Sequence, residues 1–371
     1  MKKLLLSAFA LCFAGTIAAQ EAPLWMRYCA LSPDGTTIAF TYKGDIYTVP
    51  VNGGKAAQIT TNAAHDTHPV WSPDGKQIAF ASDRMGSMDI FVVDREGGIP
   101  KRLTTHSGNE TPVAFKDADH ILFLANVMPS AEDAQFPSGQ FQQVYEVSTT
   151  GDRPVMFSSM PMEDISINKT GNALLYHDKK GYEDPWRKHH TSSITRDIWL
   201  CSLDGKRSYR KLTSFNGEDR TPVWASDGKS FYYLSEEKGS FNVFKRALDG
   251  TSSTQLTHHT KHPVRFLTAA DNGTLCYGYD GEIYTMKEGT EPRKVQISIL
   301  TDKNDKDLIR QIRRNGATEI ALSPDAKEVA FILRGDVYVT SVEYKTTKQI
   351  TNTPEQERDI NFAPDGRSIV Y

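Results

Sequence analysis

Histidines and carboxylates gather at five places along this 371-residue chain, each just ahead of an apolar run. They are His65-Asp66-Thr67-His68, Asn109-Glu110, Glu163-Asp164, Glu218-Asp219-Arg220 and His258-His259-Thr260-Lys261-His262. Imidazole and carboxylate together suit Zn²⁺ or a similar ion, and equally a charged peptide terminus. A His-x-x-His pair without strand or helix geometry is a weak metal motif, however, and polar loop residues more often cap turns and face water. No metal and no cofactor are expected. A second concentration of chemistry is Gly181-Tyr-Glu-Asp-Pro-Trp-Arg-Lys-His-His190. Here Arg187, Lys188, His189 and His190 could hold an anionic group such as a peptide carboxylate, Arg187 by a charge-assisted bidentate bond. The plainer reading is a surface loop whose aromatics pack over a neighbouring element. Catalytic signatures are absent: there is no Gly-x-Ser-x-Gly elbow, His-Glu-x-x-His, Walker loop or Gly-x-Gly-x-x-Gly. Ser166-Ile-Asn-Lys169 matches Ser-x-x-Lys by letter only. The segment is expected to contain no catalytic residues.

The elements that position these groups are copies of one pattern. Its best version is His68-Pro-Val-Trp-Ser-Pro-Asp-Gly-Lys-Gln-Ile-Ala-Phe-Ala-Ser-Asp83, continued by Asp89-Ile-Phe-Val-Val-Asp94 and Lys101-Arg-Leu-Thr104. Ser-Pro-Asp-Gly is a turn in which Pro presets φ and Gly closes. Gln77–Ser82 and Asp89–Asp94 alternate polar and apolar, as half-buried strands do. The turn recurs at 32–35, 226–228, 271–273, 323–326 and 363–366, with worn copies at 116–119 and 168–171. An acidic or amide residue, a branched residue and an aromatic follow seven times, from Asp45-Ile-Tyr47 to Asp336-Val-Tyr338. A closing hydrophobe-Thr pair recurs at Ile59-Thr60, Leu103-Thr104, Leu212-Thr213, Leu256-Thr257 and Ile350-Thr351. Four short strands in every repeat, at a spacing of about 40–57 residues, is the period of propeller blades. The pattern predicts an all-β chain, with a six-bladed β-propeller of four-stranded blades over 22–298. Each repeat holds all four strands of its own blade, so no terminal strand is expected to cross over and close the ring. The polar loops then converge on the channel mouth, which gives His65, His68, Glu110, Glu218, Asp219, Arg220, His259 and His262 as candidate mouth residues.

Met1–Ala19 has the basic n-region, short apolar core and small-residue end of a secretory signal. Its apolar part is shorter than the roughly 20 residues a membrane span needs. A periplasmic or secreted protein, with no membrane association after removal of the signal, is therefore expected. Formal net charge is −3, and 24% of residues are charged. No basic excess points to nucleic acid. Cys29, Cys201 and Cys276 remain after the signal, an odd and scattered set that suits small core hydrophobes better than a disulfide framework. Residues 299–316 read as a linker. The repeat restarts at Glu319-Ile-Ala-Leu-Ser-Pro-Asp325, and 317–371 is expected to be the first two blades of a second, incomplete propeller. Two blades cannot close a ring, so the chain is expected to be the front part of something longer. A homo-oligomer is left open.

Ser-Pro-Asp-Gly-Lys-x-Ile-Ala-Phe, followed by Asp-Ile-Phe-Val and Arg-Leu-Thr, resembles the repeat of TolB-type periplasmic propellers. A secretion signal, a six-bladed propeller, a linker and the opening of a second propeller resemble the tricorn protease family and its exported bacterial homologues. That resemblance covers 22–371. It implies a seven-bladed second propeller, a PDZ domain and a serine peptidase core beyond Tyr371, with propellers that filter or guide peptides or unfolded polypeptide to the catalytic core. It also implies basic residues for peptide termini, for which Arg187 and Lys188 are the candidates. Two other classes differ in one feature each. A stand-alone TolB-like binding scaffold would stop after one ring, and a prolyl-oligopeptidase-type enzyme would place a single ring before its catalytic domain.

Overall fold

The Ser-Pro-Asp-Gly turns are built as their residues dictate. Ser32 Oγ donates to Asp34 Oδ1 at 2.6 Å and accepts from Thr37 N at 3.0 Å. Gly35 closes the turn onto Ser32 O at 2.8 Å, at a φ of 70° that a side chain resists. Ser72 and Ser323 repeat the arrangement, the latter with Ala326 held at a φ of 57° where its cognates have glycine. The computed structural model describes residues 23–126, 141–182, 184, 186, 191–300 and 313–371. Arg187, Lys188, His189 and His190 lie outside them, as do the secretory signal and most of the linker.

The described chain falls into two compact units, Met1–Asp302 and Lys303–Tyr371. In the first, six four-stranded antiparallel sheets follow one another in strict chain order. Their first strands are Arg27–Leu31, Asp66–Trp71, Glu110–Phe115, Met162–Ile167, Asp219–Trp224 and Arg265–Ala269. Each first strand packs against the next, and Arg265–Ala269 returns to Arg27–Leu31. The apolar cores lie between consecutive sheets. Ile38, Phe40 and Tyr47 of the first sheet, for instance, share a cluster with Cys276 and Ile283 of the sixth. This is the arrangement of β-propeller blades, in which each sheet buries both faces against its neighbours.

The hydrophobe-Thr pair that closes four of the six repeats in this unit has a physical role. Thr60, Thr104, Thr213 and Thr257 each accept, through Oγ1, the backbone N–H of the branched residue that opens the third strand (Ile46, Ile90, Ile198, Val243), all at 2.9 Å. The hydroxyl stands in for a ladder bond where the fourth strand has already ended. Thr104→Val should lower the unfolding free energy by about 1–3 kcal/mol, since it leaves a buried N–H unpaired, and Thr104→Ser by less. Urea unfolding reads both. A Thr104→Val loss no larger than that of Thr104→Ser would mean that the hydroxyl is not needed. A second repeated clasp joins neighbouring sheets. Trp71 Nε1 donates to Ala30 O and Trp224 Nε1 to Ser166 O, each at 2.9 Å.

Ring closure differs from the expectation of no crossover strand. Ile297–Ser298, after the sixth sheet, pairs in parallel with Gly54–Lys55 beside the first. Gly54 N donates to Gln296 O at 2.8 Å and Ala56 N to Ser298 O at 2.9 Å. Gly53 admits the strap: a Cβ there would stand 2.5 Å from Gln296 O. At the opposite end of the seam, Asp271 N donates to Pro33 O at 2.9 Å.

The second unit holds one four-stranded sheet, Ala317–Leu322, Glu328–Leu333, Asp336–Ser341 and Thr347–Gln349, and a short hairpin of Asn361–Phe362 with Ile369–Val370. Its small core gathers Ala321, Ala330, Ile332, Val337 and Ile360.

Candidate channel site

The six first strands of the larger unit surround a cavity of about 1090 Å³. That is ample for a small ligand or a few residues of extended chain, since ligand pockets span roughly 300–1,000 Å³. Its wall is largely apolar, with Pro69, Val70, Val113, Ile165, Val223 and Leu267 among the lining residues.

A repeated irregularity decides which side chains turn inward. Every first strand carries a register shift against its partner, and in five the inserted stretch holds a non-glycine residue at positive φ. These are Tyr28 (52°), His68 (53°), Asp164 (49°), Thr221 (51°) and Phe266 (56°), and all five line the cavity. Such backbone is costly for residues other than glycine, asparagine and aspartate, and tends to mark functional positions. In each case the residue stands four places before the first residue of the following turn. The third sheet has Pro112 at that place, and a proline ring locks φ at negative values.

The collar has two arcs. From the sixth sheet through the first to the second it is aromatic, with ring centroids 4.9 Å apart for Phe266–Tyr28 and 3.7 Å for Tyr28–His68. Burial pushes the His68 imidazole down to about 4, against the opposing pull of Asp164, so the ring is neutral at physiological pH. On the fourth and fifth sheets the collar is polar. Thr221 Oγ1 donates to Asp164 Oδ2 at 2.6 Å, and Thr221 N donates to His177 Nδ1 at 3.3 Å. That bond fixes the tautomer, so His177 Nε2–H faces Glu163 Oε2 at 3.2 Å.

Behind the polar arc lies a dense charge network. Glu163 also meets Lys179 at 2.6 Å and Arg196 at 3.5 Å, and Arg196 Nη1 reaches Glu218 Oε1 at 2.9 Å. Arg220 lies 3.6 Å from Glu218 and stacks on Phe241 at 4.0 Å. Burial works to raise the Glu163 carboxyl, but the hydrogen bond from His177 and the charges of Lys179 and Arg196 hold it far below the usual range. Trp186 stands at the seam of the first and sixth sheets: its ring lies 4.8 Å from the Arg27 guanidinium and 4.9 Å from that of Arg265, and its carbonyl accepts from Arg265 Nη2 at 2.7 Å. Where the turns meet the cavity, Lys169 and Asp271 pair at 2.7 Å across two non-adjacent sheets. These side chains hold one another in place. Their arrangement offers a lined passage that can bind and orient.

A family model for the tricorn protease N-terminal beta propeller domain matches residues 23–292. The chain belongs to that tricorn protease family. It is 25% identical over 356 residues to tricorn protease homolog 1 of Streptomyces coelicolor, a match that covers 94% of this chain and 32% of the relative. It is also 25% identical over 332 residues to the tricorn protease of Thermoplasma acidophilum, covering 86% of this chain and 29% of that one. The crystal structure of the tricorn protease superposes with a TM-score of 0.67 at 18% identity, over 92% of this chain and 33% of that chain. This chain thus spans about a third of the length of these relatives.

Of the candidate mouth residues in this tricorn-type segment, His68 alone stands on the cavity wall. Glu110 and Asp219 are buried instead, 1% and 2% exposed. They begin their strands, where the pleat turns alternate side chains away from the channel. Glu218 and Arg220 belong to the charge network, and His65 is exposed. His259 stacks on Tyr279 at 3.8 Å and hydrogen-bonds Tyr277 Oη at 3.0 Å, while His262 pairs with Asp280 at 3.3 Å. Tyr28, Thr221 and Phe266 escaped the reading of the sequence because nothing in their types signals left-handed backbone. Their common distance from the turn was the available signal. Among the described residues, no three His, Cys, Asp or Glu side chains gather as a metal set.

Proposed function

We propose that this chain is the N-terminal propeller part of an exported tricorn-like serine peptidase. In this reading the six sheets form one six-bladed ring, residues 317–371 open a second, and the cavity filters or guides peptides toward a catalytic core beyond Tyr371. The observation that carries it is the collared cavity of about 1090 Å³ at the centre of a chain that matches tricorn homologues over most of its own length. The secretory pattern of Met1–Ala19 supports export. The test is binding of unstructured peptides by the full chain, compared with a Val113→Trp variant in which an indole fills the channel wall. Binding is expected in the wild type, at least fivefold weaker in the variant, and absent for a folded protein of similar charge. Equal binding by both proteins would place peptides outside the channel and end the guiding role.

A further inference from the structure

Five of six inner strands hold a side chain on left-handed backbone at one repeated position, and three of these, on consecutive sheets, are rings. Stacking alone would not require that backbone, because ordinary strand positions also bring rings together. The Phe266 ring is confined from behind: a Cβ on Gly278 would stand 2.9 Å from its Cδ2. Trp186 meets it edge-on at 6.2 Å. Phe266, Tyr28 and His68 are all half-buried and reach the cavity. Rings that are fixed yet accessible lose little conformational freedom when they accept a planar apolar group.

We propose that Phe266, Tyr28 and His68 form a subsite for one aromatic side chain of an extended peptide inside the channel. This rests on the peptide-guiding function above and adds a preference to it. Charge argues for an aromatic rather than a basic side chain. Arg27 and Arg265, on the same side of the collar, already place two guanidinium groups on Trp186. A lysine or arginine would enter against those charges. The apolar wall formed by Pro69, Val70 and Leu267 continues the same surface away from the rings. Asp164 and Thr221, on the facing arc, offer acceptors to the N–H groups of a passing backbone.

The experiment uses the full chain and calorimetry with acetylated, amidated Gly-Ser peptides that carry one central Phe, Leu, Lys or Gly. The Phe peptide should bind about tenfold tighter than the Gly peptide, the range that an aromatic pair adds, and Lys no tighter than Gly. Phe266→Leu keeps apolar bulk in the wall and should bring Phe down to the level of Leu. His68→Asn keeps a residue that tolerates left-handed backbone and should weaken Phe binding severalfold. Melting curves identify any variant that has lost its fold. Selectivity for Phe unchanged in both folded variants, or tighter binding of Lys, would overturn the subsite. Wild-type binding that ignores the central residue also removes the subsite and leaves peptide guiding intact. No binding of any peptide removes both.

Discussion

Arg196→Met lowers the unfolding free energy by about 3–5 kcal/mol in urea titrations, the loss expected when one member of a buried ionic network is removed. Arg196 lies between the sheets with its side chain 6% exposed, and it bridges Glu218 at 2.9 Å and Glu163 at 3.5 Å. Glu218, 1% exposed on its side chain, loses a 2.9 Å charged contact in the variant, while Arg220 stays at 3.6 Å. Glu163 fares better, since Lys179 and His177 remain. Burial of a carboxylate costs far more than its partner's packing contributes. The double variant Arg196→Met, Glu218→Leu should therefore recover only part of the loss, since the buried Arg220 then gives up its contact with Glu218. A single variant within about 1 kcal/mol of wild type would show that water reaches the cluster and that the network is solvated.

The second large effect is a decline in stability from about pH 5 to pH 8. Burial, aided by the Asp89 charge, lifts the Glu110 carboxyl to about 7, while Thr104 and Arg102 oppose the rise. Burial likewise lifts Asp219 to about 6, against hydrogen bonds from Ser235 and Thr213. A carboxyl raised in the folded state favours folding while it stays protonated. Its contribution is complete below the unfolded value and is lost as pH climbs through the folded one. For Glu110 that change is of the order of 3 kcal/mol. Glu163 runs the other way, stabilising above its unfolded range and failing only in strong acid. Glu110→Gln should raise the melting temperature at pH 8 and flatten the pH profile. An unaltered profile would place the sensitivity elsewhere.

Much of the architecture could be read from the chain because its signals are local. Ser-Pro-Asp-Gly specifies its own hydrogen bonds, and alternation along Gln77–Ser82 specifies a strand whatever lies next to it. The Thr that closes most repeats was visible as a pattern, though its task, capping an N–H fourteen or fifteen residues earlier, became clear only in three dimensions. The strap had no such signal. Ile297–Ser298 is a two-residue element whose partner, Gly54–Lys55, belongs to the first repeat, and neither segment carries a hydrophobic period. The channel site fell between these cases. Its polar residues were singled out by type, yet a strand turns alternate residues opposite ways, and a single inserted residue reverses which ones face inward. Hence His68 reached the cavity while Asp66 and Glu110, which look equally functional as letters, went to the interior.

The strap at Ile297–Ser298 also sets an order of events. A chain made from its N-terminus has the first sheet long before it has the partner that covers the edge beside Gly54–Lys55. The six-sheet unit therefore cannot complete its circle until Ser298 has been made, and closure is a contact of very high sequence separation, the kind that forms slowly. Until then the apolar faces of the first sheet, Ile38, Phe40 and Tyr47 among them, have no sixth sheet to cover them. The growing protein is thus most vulnerable to aggregation at its oldest end, and a chaperone acting on it would have to guard that end until the newest residues arrive.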